Sequence, residues 1–96
     1  MKKRNAEHIG EVIHQFLRQE GLETPYNEYR LVQAWPEVMG HAIEQYTADV
    51  QIRNRALYVK LRSSVLRHEL MMNRHILVHR LNEYVGAQVI DNIIFC

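Results

Sequence analysis

Ninety-six residues with 12 Lys and Arg against 11 Asp and Glu, a formal +1 at pH 7, and 47% hydrophobic residues describe one globular domain with a single core. The only cysteine, Cys96, excludes an intramolecular disulfide and a cysteine-based zinc site, so a reducing, cytoplasmic setting fits best. No stretch has the apolar length of a membrane span, and Lys2, Lys3 and Arg4 precede no signal-peptide core, so residues 1–5 are expected to be a frayed basic tip.

Ile9, Val12, Ile13, Phe16 and Leu17 recur at helical spacing and predict an amphipathic helix from about Asn5 to Glu20, capped by Gly21. Its apolar stripe reads as core before interface. Thr24-Pro25 looks like the cap and first position of a second helix through Tyr29 and Val32 to Trp35. Pro36, which lacks a donor, should break or restart that helix, leaving a shorter one carrying Val38, Met39, Ala42 and Ile43.

Ala48, Val50 and Ile52 alternate with polar residues, so a first strand is expected from Tyr46 to Arg53. Asn54-Arg55 is the turn to a second strand from Ala56 to Arg62, in which Leu57, Val59 and Leu61 alternate with Tyr58, Lys60 and Arg62. The period then becomes helical. Leu66, Leu70, Leu77, Leu81 and Tyr84 share one side of a long helix that starts at Ser63-Ser64 and ends at Gly86. Gln88 to Phe95, rich in β-branched residues, supplies a third strand. The fold class is therefore α+β, helices first, with a three-stranded mixed sheet covered by helices on one face.

Charge is unevenly placed. Residues 51–80 hold seven basic residues against Glu69 alone, a net +6, while the flanking stretches are acidic. A nearly neutral total thus conceals a basic middle, which is either a contact for nucleic acid or ordinary solvated surface. The candidate nucleic-acid contacts are Arg53, Arg55, Tyr58, Lys60, Arg62, Arg67 and Arg74, with Gln51 beside them if the first two strands pair. A basic sheet face bearing an aromatic can stack bases and hold phosphates.

Trp35-Pro36-Glu37-Val38 with Gly40, Leu57-x-Val59, Ser63, Glu69-Leu70, Leu77, Arg80-Leu81-Asn82, Gly86 and Ile93-Ile94-Phe95 together resemble the DciA-like family of bacteria, over roughly residues 9 to 96. The resemblance implies a KH-like fold and a non-catalytic role as accessory factor or loader for the replicative DNA helicase, with single-stranded or forked DNA as a second partner. Departures are Tyr46 where members often carry His, Arg55 where a hairpin Gly is usual, and Leu66 in place of an aromatic. Many members also carry a flexible extension, so the chain reads as the bare module. No GXXG loop is present, and the KH mode of clamping RNA does not transfer.

His68, His75 and His79 lie opposite the core stripe. His75 and His79 have the i, i+4 spacing of zinc helices, yet the accompanying Glu is missing, and neither a metal nor another cofactor is expected. Trp35 and Pro36 are the candidate protein-partner contacts, although a Trp ring in this setting is more often mainly buried between helices. Met71, Met72 and Ile76 form a possible second apolar contact. Neither a phosphate loop nor a nucleophile elbow occurs, so no enzyme is expected. The leading expectation is a DNA-binding replication accessory. The alternatives are a protein-interaction module without nucleic-acid binding and an RNA-binding KH-like protein.

Overall fold

A computed structural model describes the backbone from Lys2 and the side chains from His8 to Cys96. The expectation of a frayed tip over residues 1–5 falls on side chains outside those described. The described residues form α1 (Lys2–Gln19), α2 (Glu23–Met39), α3 (His41–Gln45), β1 (Thr47–Arg53), β2 (Ala56–Leu61), α4 (Ser64–Met72), α5 (Arg74–Val85) and β3 (Asn92–Phe95). The sheet runs β1-β2-β3, antiparallel between the first two strands and parallel between β2 and β3. This is the expected α+β arrangement with a mixed sheet.

Strand alternation and register decide which sheet face is covered. Val50 pairs with Val59, Ile52 with Leu57, Leu57 with Ile93 and Val59 with Phe95, so these apolar side chains share one face. Leu57, Val59, Leu61, Ile93 and Phe95 are buried there against Leu31, Ala34 and Trp35 of α2, Leu70 of α4, and Leu77, Leu81 and Val85 of α5. Each fully buried Leu or Val contributes roughly 1.5–3 kcal/mol relative to exposure.

Trp35 resolves the choice between core and interface. Its ring is 1% exposed and lies 6.3 Å from Phe95, and its Nε1 donates to Thr47 Oγ1 at 3.0 Å. Thr47 Oγ1 in turn donates to the Ile43 carbonyl. The indole therefore ties α2 to the start of β1 and the end of β3. The reading of Trp35 as a surface anchor is corrected by this burial, and Pro36 beside it is half-buried.

Four boundaries differ from expectation. α2 begins at Glu23, ahead of Thr24, because Pro25 fits the first turn, where N–H groups lack intrahelical partners anyway. The helix also continues through Pro36, since only one bond is lost and Gly40 N–H closes on the Pro36 carbonyl at 2.8 Å. The break falls instead at Gly40, whose φ of 91° is open to glycine and strained for other residues.

The long helix is divided at Asn73. The Asn73 amide donates to the Glu69 carbonyl and its backbone N–H to the Leu70 carbonyl, while its own carbonyl starts α5 by accepting from Leu77 N–H. A short amide side chain competes in this way for helix carbonyls. In α5 Leu77 and Leu81 face inward as expected and are joined by Val85, while Tyr84, expected on the core side, is exposed.

β3 starts four residues later than expected because Asn82 occupies the backbone before it. Its buried side chain accepts from Val89 N–H and Ile90 N–H and donates to the Ile90 carbonyl at 2.8 Å. Those groups are thereby taken from strand pairing.

The first helix departs most. Ile9, Val12, Ile13 and Phe16 are all at least half exposed, where a core stripe was expected, and among the described residues α1 packs chiefly on α2. The molecule is accordingly extended, 50 × 28 × 21 Å, with a radius of gyration of 15.5 Å. A compact chain of this length would have about 12–13 Å.

Candidate nucleic-acid interface

Helices cover one face of the sheet, and the other is left to polar residues by the same alternation. Asp49, Gln51 and Arg53 of β1 stand opposite Lys60, Tyr58 and Ala56 of β2, and Asn92 and Ile94 of β3 complete the open face. Arg53 lays its guanidinium over the Tyr58 ring, 4.8 Å from the centroid. Gln51 donates to Asp49 Oδ2 at 2.6 Å. Arg53, Tyr58 and Lys60 thus share one surface, as the pairing of the two strands predicted.

Two further cations cluster where β2 ends. Arg62 donates to the Gln45 carbonyl at 3.0 Å, and Arg67 reaches from α4 to the Leu61 carbonyl at 3.5 Å. Neutral acceptors orient a guanidinium without cancelling its charge, so both still contribute positive potential. Arg67 is half-buried and its Nε lacks a hydrogen-bond partner, which makes it the more constrained of the pair.

The remaining two candidates lie elsewhere. Arg55, in the hairpin turn, makes a two-bond pair with Asp91 at 2.8 and 2.9 Å and also donates to the Gln88 carbonyl. The hydrogen bond and charge of Asp91 raise the Arg55 pKa, and the hydrogen bond from Arg55 chiefly lowers that of Asp91. Arg55 is therefore a clamp between the turn and the approach to β3, not a free cation. Arg74 stands at the junction of α4 and α5, in the layer that covers the opposite sheet face, and bonds the Met71 carbonyl.

Sequence reasoning missed one member of the face. Asp49 lies directly across from Lys60 and puts a negative charge into the basic patch. Its signal was the same alternation that selected Gln51 and Arg53, since the bulge between Thr47 and Asp49 comes before it.

The histidines do not gather. His79 lies 3.0 Å from Glu83, and among the described residues no three His, Cys, Asp or Glu side chains are grouped to hold a metal. Within the same residues no helix is long and apolar enough to cross a membrane.

A small α+β module with one covered and one polar, partly basic sheet face is the class of protein that this geometry defines. The family model described as "Dna[CI] antecedent, DciA" matches residues 8–95, and the chain belongs to the DciA family. That family is associated with helicase loading in replication, an accessory and not a known catalytic role. No curated protein matches the chain.

Proposed function

We propose that the chain is a DNA-binding accessory of the bacterial replication machinery, acting in the cytoplasm on the replicative helicase. The single observation that carries the DNA part is the open sheet face, where Arg53, Tyr58 and Lys60 lie together and Arg62 and Arg67 continue the charge past the end of β2. The helicase part rests on membership of the DciA family.

In this reading the module is KH-like but uses its sheet, since the sequence has no GXXG clamp. Bases of a single strand stack on Tyr58 while phosphates meet Lys60, Arg62 and Arg53. Arg67, on α4 in the covering layer, adds positive potential only at the end of β2, where it reaches the Leu61 carbonyl. Arg55 and Arg74 drop out of the proposed contact set, the first bound to Asp91 and the second on the opposite layer. The helicase contact is assigned to exposed surface and not to Trp35.

The test is equilibrium binding of a labelled single-stranded oligonucleotide, with an RNA of the same sequence as competitor. The reading expects DNA to bind and the Arg53→Ala/Lys60→Ala variant to lose most of that affinity. Equal affinity in that variant removes the sheet face from the account, and preference for RNA favours the RNA-binding alternative.

A further inference from the structure

We propose that α1 is a self-association surface, through which two copies of this chain pair as antiparallel helices on Ile9, Val12, Ile13 and Phe16. The stripe has the i, i+3, i+4, i+7 spacing of a buried helix face. Nevertheless Ile9 is 58% and Phe16 54% exposed, because among the described residues the main packing partner of α1 is α2. Most helical stability in proteins comes from packing of an amphipathic face, so an 18-residue helix whose apolar stripe is left exposed gains from a cover. Leu22, in the turn after α1, and Tyr26, in the first turn of α2, are exposed as well.

Charge order selects the occupant and its direction. The sequence places Lys2, Lys3 and Arg4 at the start of α1 followed by Glu7 and Glu11, and Arg18 in its last turn followed by Glu20 and Glu23; about a two-fold axis between Val12 and Ile13, position 7 of one copy falls opposite position 18 of the other. Antiparallel pairing about a two-fold axis between Val12 and Ile13 brings the basic start of each copy against the acidic end of the other. Ile9 then faces Phe16 of the second copy, and Val12 faces its Ile13. Parallel pairing would instead set both basic starts side by side. The same patch meeting itself closes the assembly at two copies. A seam about 27 Å long, with four main apolar residues on each side, is small for an interface, so the dimer is weak and concentration-dependent.

Sedimentation velocity of the full chain carrying Cys96→Ser, which removes disulfide-linked dimers, tests this. The mass is expected to rise from 11.4 kDa toward twice that value as concentration increases into the sub-millimolar range. Phe16→Glu should hold the chain monomeric with unchanged circular dichroism of the domain, because Phe16 lies outside the core. Glu20→Lys/Glu23→Lys should weaken association several-fold, and adding Lys2→Glu/Lys3→Glu should restore it. The proposal is overturned if the chain stays monomeric throughout, if Phe16→Glu still dimerises, or if the exchanged charges fail to restore pairing. A monomer whose α1 variants lose helicase binding would assign the face to that partner instead.

Discussion

The guanidinium of Arg53 and the ring of Tyr58 lie face to face across the β1–β2 ladder, 4.8 Å from cation to centroid. They are diagonal neighbours, since Arg53 pairs with Ala56 and Tyr58 with Gln51. A solvent-facing pair of this kind is worth about 0.5–1 kcal/mol. On the proposed function an incoming base takes the place of the guanidinium on the ring, and the released cation meets phosphate. Tyr58→Ala should therefore weaken single-strand binding by about 1–3 kcal/mol while leaving the salt slope unchanged. Lys60→Ala should flatten that slope by about 0.7. Fluorescence anisotropy at several salt concentrations separates the two effects.

Asp49 gives the opposite sign. Its carboxylate stands across from Lys60 on the same face and accepts from Gln51. Asp49→Asn should raise affinity for single-stranded DNA several-fold at low salt, and the gain should fade as screening shortens the reach of the removed charge. An unchanged or reduced affinity at low salt would mean that the bound strand does not pass over this part of β1.

Arg55 and Asp91 form a pH-dependent clamp. The Arg55 hydrogen bond is the main cause holding the Asp91 carboxyl below its ordinary value of 3.8, so this contribution to stability is complete above 3.8 and disappears as pH falls through the lowered folded pKa. Arg55 stays protonated throughout. Asp91→Asn should lower the melting temperature slightly near neutral pH, and the gap from the native chain should close in acid. Because Asn54 and Arg55 both have positive φ, at 50° and 63°, Arg55→Gly relieves backbone strain while losing the clamp. It should consequently cost less stability than Arg55→Ala, measured by thermal unfolding.

Asn82 holds the segment between α5 and β3. Removing its amide in Asn82→Ala leaves Val89 N–H, Ile90 N–H and the Ile90 carbonyl without the partner they have in the native chain. At about 1–3 kcal/mol for each group left buried and unsatisfied, a loss of at least about 3 kcal/mol is expected. The melting temperature should drop by more than about 12 °C, at roughly 4 °C per kcal/mol or more in a domain of this size.

Period and alternation carried most of the fold in the sequence. Leu57, Val59 and Leu61 marked the covered face of β2, and the pairing that followed put Arg53, Tyr58 and Lys60 on the other. What stayed hidden depended on side chains bonding backbone at a distance. Asn73 ended a helix that periodicity carried through it, Asn82 shortened β3 by binding Ile90, and Asp91 claimed Arg55 from 36 residues away. The exposure of α1 was illegible for a different reason. An amphipathic stripe has the same spacing whether its cover comes from its own domain or from another molecule.

The central claim is that the open sheet face binds single-stranded DNA, and the most direct measurement is an anisotropy titration of a labelled oligonucleotide with the native chain and with Arg53→Ala/Tyr58→Ala/Lys60→Ala. The account predicts native binding whose log affinity falls with log salt at a slope near −2, from about three phosphate contacts at roughly −0.7 each, and loss of most affinity in a variant that melts like the native chain. Binding that ignores salt, or that survives intact in the triple variant, would contradict it.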